Sequence, residues 1–237
     1  MDPATKLKKL SRRAAPLESA AAQRIVTAAR QHFLAHGYRS VTMDDLAEEL
    51  GMSKKTLYAF FPSKTDLLRA VLLDKFRSVE TDLDRIISEC SSDFLMALRE
   101  LLACLQLHTG EIQPSFVRDI RRESPDIFKL VESRRRDVIQ RYFGKIFEQG
   151  RKAGIFRRDV PTQLMIEILL GATEAIMNPP KLAELGLTPK DGYLTIITVV
   201  LEGVLTEDAR SGEIRRPGEK ERRSRKIGPD RVGTSGL

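Results

Sequence analysis

Lys54, Lys55, Thr56 and Tyr58 bring two flexible cations and two hydroxyl groups into one short stretch of a 237-residue chain. Such groups reach guanine acceptors in the major groove or the oxygens of a phosphate backbone. No comparable set serves catalysis. His32 and His36 stand at the i, i+4 spacing of a zinc pair, but Phe33 replaces the glutamate that a zinc hydrolase needs, and no third ligand is apparent. The chain has no phosphate-binding glycine loop, no nucleophile elbow and no dinucleotide fingerprint. Cys90 and Cys104 fit no metal spacing and, in a chain without an export signal, read as reduced thiols. No catalysis, no cofactor and no metal are expected.

The basic and hydroxyl groups need a scaffold, and the residues around them supply one. Thr42 can cap a helix N-terminus, with Asp45 completing a Ser/Thr-x-x-acid pattern that satisfies otherwise orphaned amide donors. Met43, Leu46, Ala47 and Leu50 then line one helical face, and Gly51 supplies a left-handed stop. Ser53 caps a second short helix whose inner side holds Leu57 and an aromatic at Phe60 or Phe61. Pro62 ends it. Ser63 with Asp66 repeats the capping pattern, and Leu67, Leu68, Val71 and Leu72 carry the next stripe. Two helices joined by a short turn containing glycine form a helix-turn-helix, in which the second helix enters the major groove. Ser53 to Thr56 then face the bases.

The run from Arg24 to Leu68 resembles the DNA-binding domain of the TetR family of transcriptional repressors. RIVTAARQHFLAHGY matches its first helix, VTMDDLAEELGMS its second, KKTLYAFFPSK its recognition segment, and DLL opens its fourth. The resemblance implies phosphate contacts at Thr42, Thr56, Tyr58 and Lys64, and base reading at Asp44, Lys54 and Lys55. Phe60 departs from the pattern, standing where the family often carries a phosphate-touching histidine. Lys64 also lies near a helix start, where backbone amides and the dipole favour a phosphate. Whether Lys54 and Lys55 meet base edges or phosphates stays open from their chemistry alone.

Charge is distributed to match. Residues 1–72 hold 12 Lys and Arg against 7 Asp and Glu, residues 73–207 hold 19 against 21, and residues 208–237 hold 9 against 5. Basic surfaces attract the phosphate backbone through counterion release. Four segments are expected: a flexible basic arm (1–16), the DNA-binding domain (17–72), a helical effector-binding and dimerisation domain (73–208), and a disordered basic tail (209–237). The tail is charged, glycine-containing and nearly free of apolar groups, so it cannot bury enough surface to fold alone. No apolar run is long enough to span a membrane, and the N-terminus lacks the apolar core of a signal peptide, so a cytoplasmic protein without membrane contact is expected.

Beyond Phe76 the patterns are helical without convincing period-two alternation, which predicts an all-α fold. Ser124-Pro125 caps one long helix, continuous or interrupted, that runs toward Gly154; Pro161 opens another, and Thr188-Pro189 caps a last one. Arg134, Arg135 and Arg136 read as a solvated face. The last two helices are apolar nearly all round, so they must be covered on several sides. They resemble the pair with which TetR-like proteins form a four-helix bundle between two copies. That implies a homodimer, with Leu169, Ile176, Leu194, Ile197, Leu201 and Val204 as interface candidates, and an operator with two-fold symmetry on double-stranded DNA. Cys104, His108, Phe116, Met165, Ile168 and Met177 mix apolar bulk with a few polar atoms and are the candidates for a small-molecule effector pocket. The expected function is a dimeric repressor released by an effector. The alternative is an effector-insensitive architectural or interaction protein that uses the same DNA reader.

Overall fold

The computed structural model describes residues 19–89 and 94–210. The basic arm, Cys90 and the tail from Ser211 lie outside these residues. Among the described residues the fold is helical, with only an isolated bridge between Phe156 and Leu205.

Helix α1 (Ala20–His36) starts at Ser19, whose Oγ accepts from the Ala22 amide, and stops at Gly37, where φ is +92°. A side chain at Gly37 would be strained by that φ, and its Cβ would fall 2.8 Å from Asp119 Oδ2. Helix α2 (Met43–Glu49) begins with the anticipated capping box: the Asp45 amide donates to Thr42 Oγ1, and the Thr42 amide donates to Asp45 Oδ2. Gly51, at φ +63°, closes it, with the Met52 amide donating to the Ala47 carbonyl and the Gly51 amide to Glu48. Helix α3 (Lys54–Phe60) follows a Ser53 cap. Phe61 fills the core behind it, and Phe60 is only half-buried. Ile25, Phe33, Leu46, Leu57, Leu67 and Leu68 form the reader's interior.

Helix α4 (Lys64–Glu89) is 26 residues long and passes without a break through the expected domain boundary at residue 72. Its first turns belong to the reader and its last to the body. The body continues with α5 (Phe94–Gly110), α6 (Pro114–Glu123) and α7 (Pro125–Val138), then a π turn (Ile139–Phe143) leading into α8 (Gly144–Lys152). The anticipated long helix from Pro125 is thus interrupted by a wide turn, which aims Ile139, Tyr142 and Phe143 into the core. Ser124 makes no side-chain cap. It is the buried joint whose amide closes α6 and whose carbonyl accepts from Phe128.

Helices α9 (Thr162–Ile176), α10 (Pro179–Glu184) and α11 (Pro189–Val204) complete the body, with a last turn, α12 (Glu207–Arg210). The chain is still folded at the expected start of the tail: Ala209 packs on the body, and Arg210 donates to the Glu202 carbonyl. Sequence reading missed α6 and α10, although Gln113-Pro114 and Asn178-Pro179 carry the same proline signal used elsewhere.

Candidate nucleic-acid interface and body cavity

On the outer side of α3, Lys55 and Tyr58 are uncommitted among the described residues. Lys55 is exposed and holds no ion pair among the described residues, and Tyr58 is 45% exposed. The neighbours are engaged locally. Ser53 and Thr56 hydroxyls lie 2.8 Å apart while Ser53 Oγ also accepts the Thr56 amide, and Thr42 is occupied by its capping box. Lys54 Nζ reaches Asp44 Oδ2 at 2.5 Å, and this hydrogen bond raises the lysine above its ordinary value. The two base-reading candidates from different helices therefore pair with each other in the free protein. Lys64 lies half-buried with Nζ 4.3 Å from the Tyr38 ring centroid, and burial lowers it. Its ammonium also lies 5.8 Å from the Phe33 ring centroid and donates to the Arg39 carbonyl, just beyond α1.

His32 and His36 are held by local contacts. His32 Nε2 meets Glu49 Oε2 at 2.5 Å, bracing α1 against α2, and the two imidazoles tilt past one another at 5.6 Å.

In the body, a partly open cavity of about 170 Å³ lies between α4, α5, α6, α7 and α11. His108, Phe116 and Met177 line it as anticipated. Three pocket candidates do not. Cys104 is buried one helical turn before His108, and Met165 is spent in the body core. Ile168 is 50% exposed on the outside of α9, because its position on that helix faces away from the core.

The cavity wall is apolar apart from a few side chains, and the sequence reading missed most of those. Lys75, only 6% exposed, places Nζ 3.0 Å from His108 Nδ1 and 2.8 Å from Glu111 Oε2. His108 Nε2 is 2.8 Å from Asp82 Oδ2. In the tautomer protonated at Nε2, the imidazole accepts from Lys75 and donates to Asp82, so every member of the chain is satisfied. Burial lowers the lysine, opposed by its hydrogen bond to Glu111. Asp82, Cys104 and His108 offer donor atoms within 4.8 Å of one another. The ammonium held against the same imidazole opposes a dication there, so the cluster reads as a hydrogen-bonded network.

Burial, with Asp82 adding to it, pushes the Cys104 thiol up to about 11. Its thiolate fraction at pH 8 is then on the order of 10⁻³. Iodoacetamide is expected to alkylate Cys104 about 100-fold more slowly than an exposed thiol, read by mass spectrometry of its peptide. Equal rates would show the thiol exposed or activated.

The arginine run also divides. Arg134 and Arg136 are exposed, and Arg136 pairs with Glu174. Arg135 turns inward and lines the cavity. The signal for this was present: Phe128, Val131, Arg135 and Val138 recur at helical spacing, with the arginine at an apolar position.

Four dimer-interface candidates are likewise buried in the chain's own core: Leu169, Ile197, Leu201 and Val204. They share that core with Phe143 and Phe147. Ile176 and Leu194 are half-buried against the same core. The solvent side of the pair is instead formed by Leu164, Ile168, Gly171 and Ala175 on α9, with Thr195, Val199 and Gly203 on α11. Leu164, Ile168 and Val199 are among the large hydrophobic side chains left exposed.

Residues 25–71 match the family described as bacterial regulatory proteins, tetR family. Over longer stretches the chain is 25% identical to the HTH-type transcriptional regulator SrpR of Pseudomonas putida, covering 76% of this chain and 81% of that protein. It is 22% identical to an uncharacterized HTH-type transcriptional regulator, YvaF, of Bacillus subtilis, covering 71% and 88%. The fold resembles the crystal structure of a transcriptional regulator from Cytophaga hutchinsonii, with a TM-score of 0.60 at 19% identity over 79% of this chain and all of that one.

Proposed function

We propose that the chain, whose residues 25–71 match the tetR family of bacterial regulatory proteins, is a DNA-binding transcriptional regulator that works as a dimeric repressor, released from a two-fold symmetric operator by a small molecule in the body cavity. Its place of action on this reading is the cytoplasm. Lys55 and Tyr58 supply the free contacts of α3, with Lys54 and Asp44 exchanging their mutual pair for DNA groups. Thr42, Ser53, Thr56 and Lys64 support phosphate contacts at the flanks. Phe60 gives apolar contact at most.

One observation carries the effector reading. Phe116 and Ile120 on α6 line the cavity, yet both pack in the reader's core rather than the body's. Leu34 of α1 lines it too, and its carbonyl accepts the Gln113 amide at the start of α6. Asp119 on α6 also accepts the Arg39 amide just beyond α1. A ligand that shifts α6 therefore acts directly on the helix that supports α2 and α3, and coupling of this kind requires a differential affinity for two states.

The exposed apolar faces of α9 and α11 support dimerisation, since isolated apolar side chains are ordinary on a surface but two adjoining stripes mark an interface. Two readers held by that pair would meet half-sites about one DNA turn, or a multiple, apart.

Selection of bound sites from random duplex DNA at about 150 mM salt tests this reading. A two-fold symmetric motif supports it. Scattered sites without symmetry would favour the effector-insensitive architectural reading. On the selected duplex, Lys55→Ala is expected to weaken binding about tenfold and Tyr58→Phe about fivefold. Tyr58→Phe should do so evenly across operator variants, as a phosphate donor would. A loss confined to one base position, measured by fluorescence anisotropy, would assign Tyr58 to a base instead.

A further inference from the structure

The two polar regions of the cavity differ in how much of their hydrogen-bonding capacity is used. At one, Lys75, His108, Asp82 and Glu111 satisfy one another, and Arg30 adds a second cation 3.5 Å from Glu111. That region is closed and near neutral. At the other, Arg135 lines the cavity, and its guanidinium makes no hydrogen bond or ion pair among the described residues. Glu174 is taken by Arg136, and Glu132 acts on Arg135 only as a nearby charge. Tyr193, on the same wall, has a hydroxyl without a hydrogen-bond partner among the described residues. A guanidinium offers five donors in a planar fork, and here none is committed to a partner among the described residues.

We propose, resting on the reading of this cavity as the effector site, that its ligand is an amphipathic monoanion whose carboxylate or sulfonate is held by Arg135 and Tyr193. The apolar body of that ligand lies against the aliphatic and aromatic wall formed by Phe76, Val79, Phe128, Val131 and Met177. A planar anion matches the arginine fork, and a hydroxyl beside it adds a second donor. A cationic ligand finds no free acceptor of comparable strength, because both carboxylates at the far region already accept hydrogen bonds. Burial lowers Arg135, opposed by Tyr193, Glu132 and Glu174, and pushes the Tyr193 hydroxyl up to about 12, so at neutral pH it is present as a donor.

The probes are 1-anilinonaphthalene-8-sulfonate and N-phenyl-1-naphthylamine, dyes with the same apolar body that differ by the sulfonate and brighten on leaving water. The full chain is expected to bind the sulfonate at least tenfold more tightly than the neutral dye. Arg135→Met should remove that advantage and leave the neutral dye's affinity unchanged, with Arg135→Lys retaining part of it. Val131→Trp, which fills the cavity, should abolish both signals and so locate them. Arg135→Met should also raise the melting temperature of the ligand-free protein by roughly 2–4 °C, because it removes an unpaired charge. An arginine with a structural role would lower it.

Equal affinity for the two dyes in the wild type, or an advantage that survives Arg135→Met, overturns the anionic assignment while the cavity remains a binding site. Binding of neither dye overturns the assignment and the effector-cavity reading together.

Discussion

Ile168→Arg is expected to convert the protein to monomers and to weaken operator binding about 100-fold or more, without loss of monomer stability. The side chain is 50% exposed on α9, beside Leu164 and facing the same side as Val199 of α11. An arginine there meets water in the single chain, so its cost is small. Across a two-fold axis it would meet its own copy, and each substitution would count twice. Operator binding suffers because two linked readers bind their half-sites with an effective concentration that a lone reader lacks. Sedimentation equilibrium and anisotropy on the same preparation separate the two effects. A variant that stays dimeric with full affinity would move the interface away from this face.

The second large effect concerns stability. Gly150→Ala is expected to lower stability by about 2 kcal/mol and the melting temperature by about 4–8 °C, although glycine to alanine inside a helix ordinarily stabilises by about 0.5–1 kcal/mol. A Cβ at Gly150 would fall 2.4 Å from Phe156 Cδ2, with two further ring atoms inside 3.0 Å. Phe156 cannot swing aside. Its ring is fully buried, edge-on to Phe94 at 5.1 Å and against Phe147 at 5.9 Å. Its backbone is also tied in place by the bridge to Leu205, where the Arg157 amide donates to Val204 and the Thr206 amide to Ile155. Thermal and urea melts read the sign directly. A stabilised Gly150→Ala would mean that this corner of the body is looser than its packing implies.

The reader was legible because its determinants are local. Thr42, Ser53 and Ser63 each cap the helix that follows, Gly51 takes a left-handed φ, and Leu46, Leu57, Leu67 and Leu68 are buried as their spacing predicts. Caps and turns depend on residues within one turn of each other, which a linear reading captures. The body was legible only as helices. A helix apolar all round has one face for its own core and one for a partner, and hydrophobicity alone does not say which is which. Leu169 and Ile197 therefore read as interface residues although they fill the core, while Ile168, one position before the first, and Val199, two after the second, carry the exposed face.

The polar side chains of the cavity were hidden for a related reason. Lys75 and Arg135 are charges at apolar positions of helical stripes, and a charge is more often a solvated surface group than a buried one. Their partners, or the absence of partners, are set by α5 and α11, far away in sequence. Arg135 was further masked by exposed arginines on both sides. A stripe that places one arginine in register with Phe128, Val131 and Val138 was the available clue.

The most direct measurement is an anisotropy titration at about 150 mM salt, using the selected symmetric duplex and a matched duplex with one half-site scrambled, with stoichiometry read at saturation. Two chains bound per symmetric duplex, and an affinity for the scrambled one lower by about 100-fold or more, is the predicted result. One chain per duplex with equal affinity for both would contradict the dimeric operator reader.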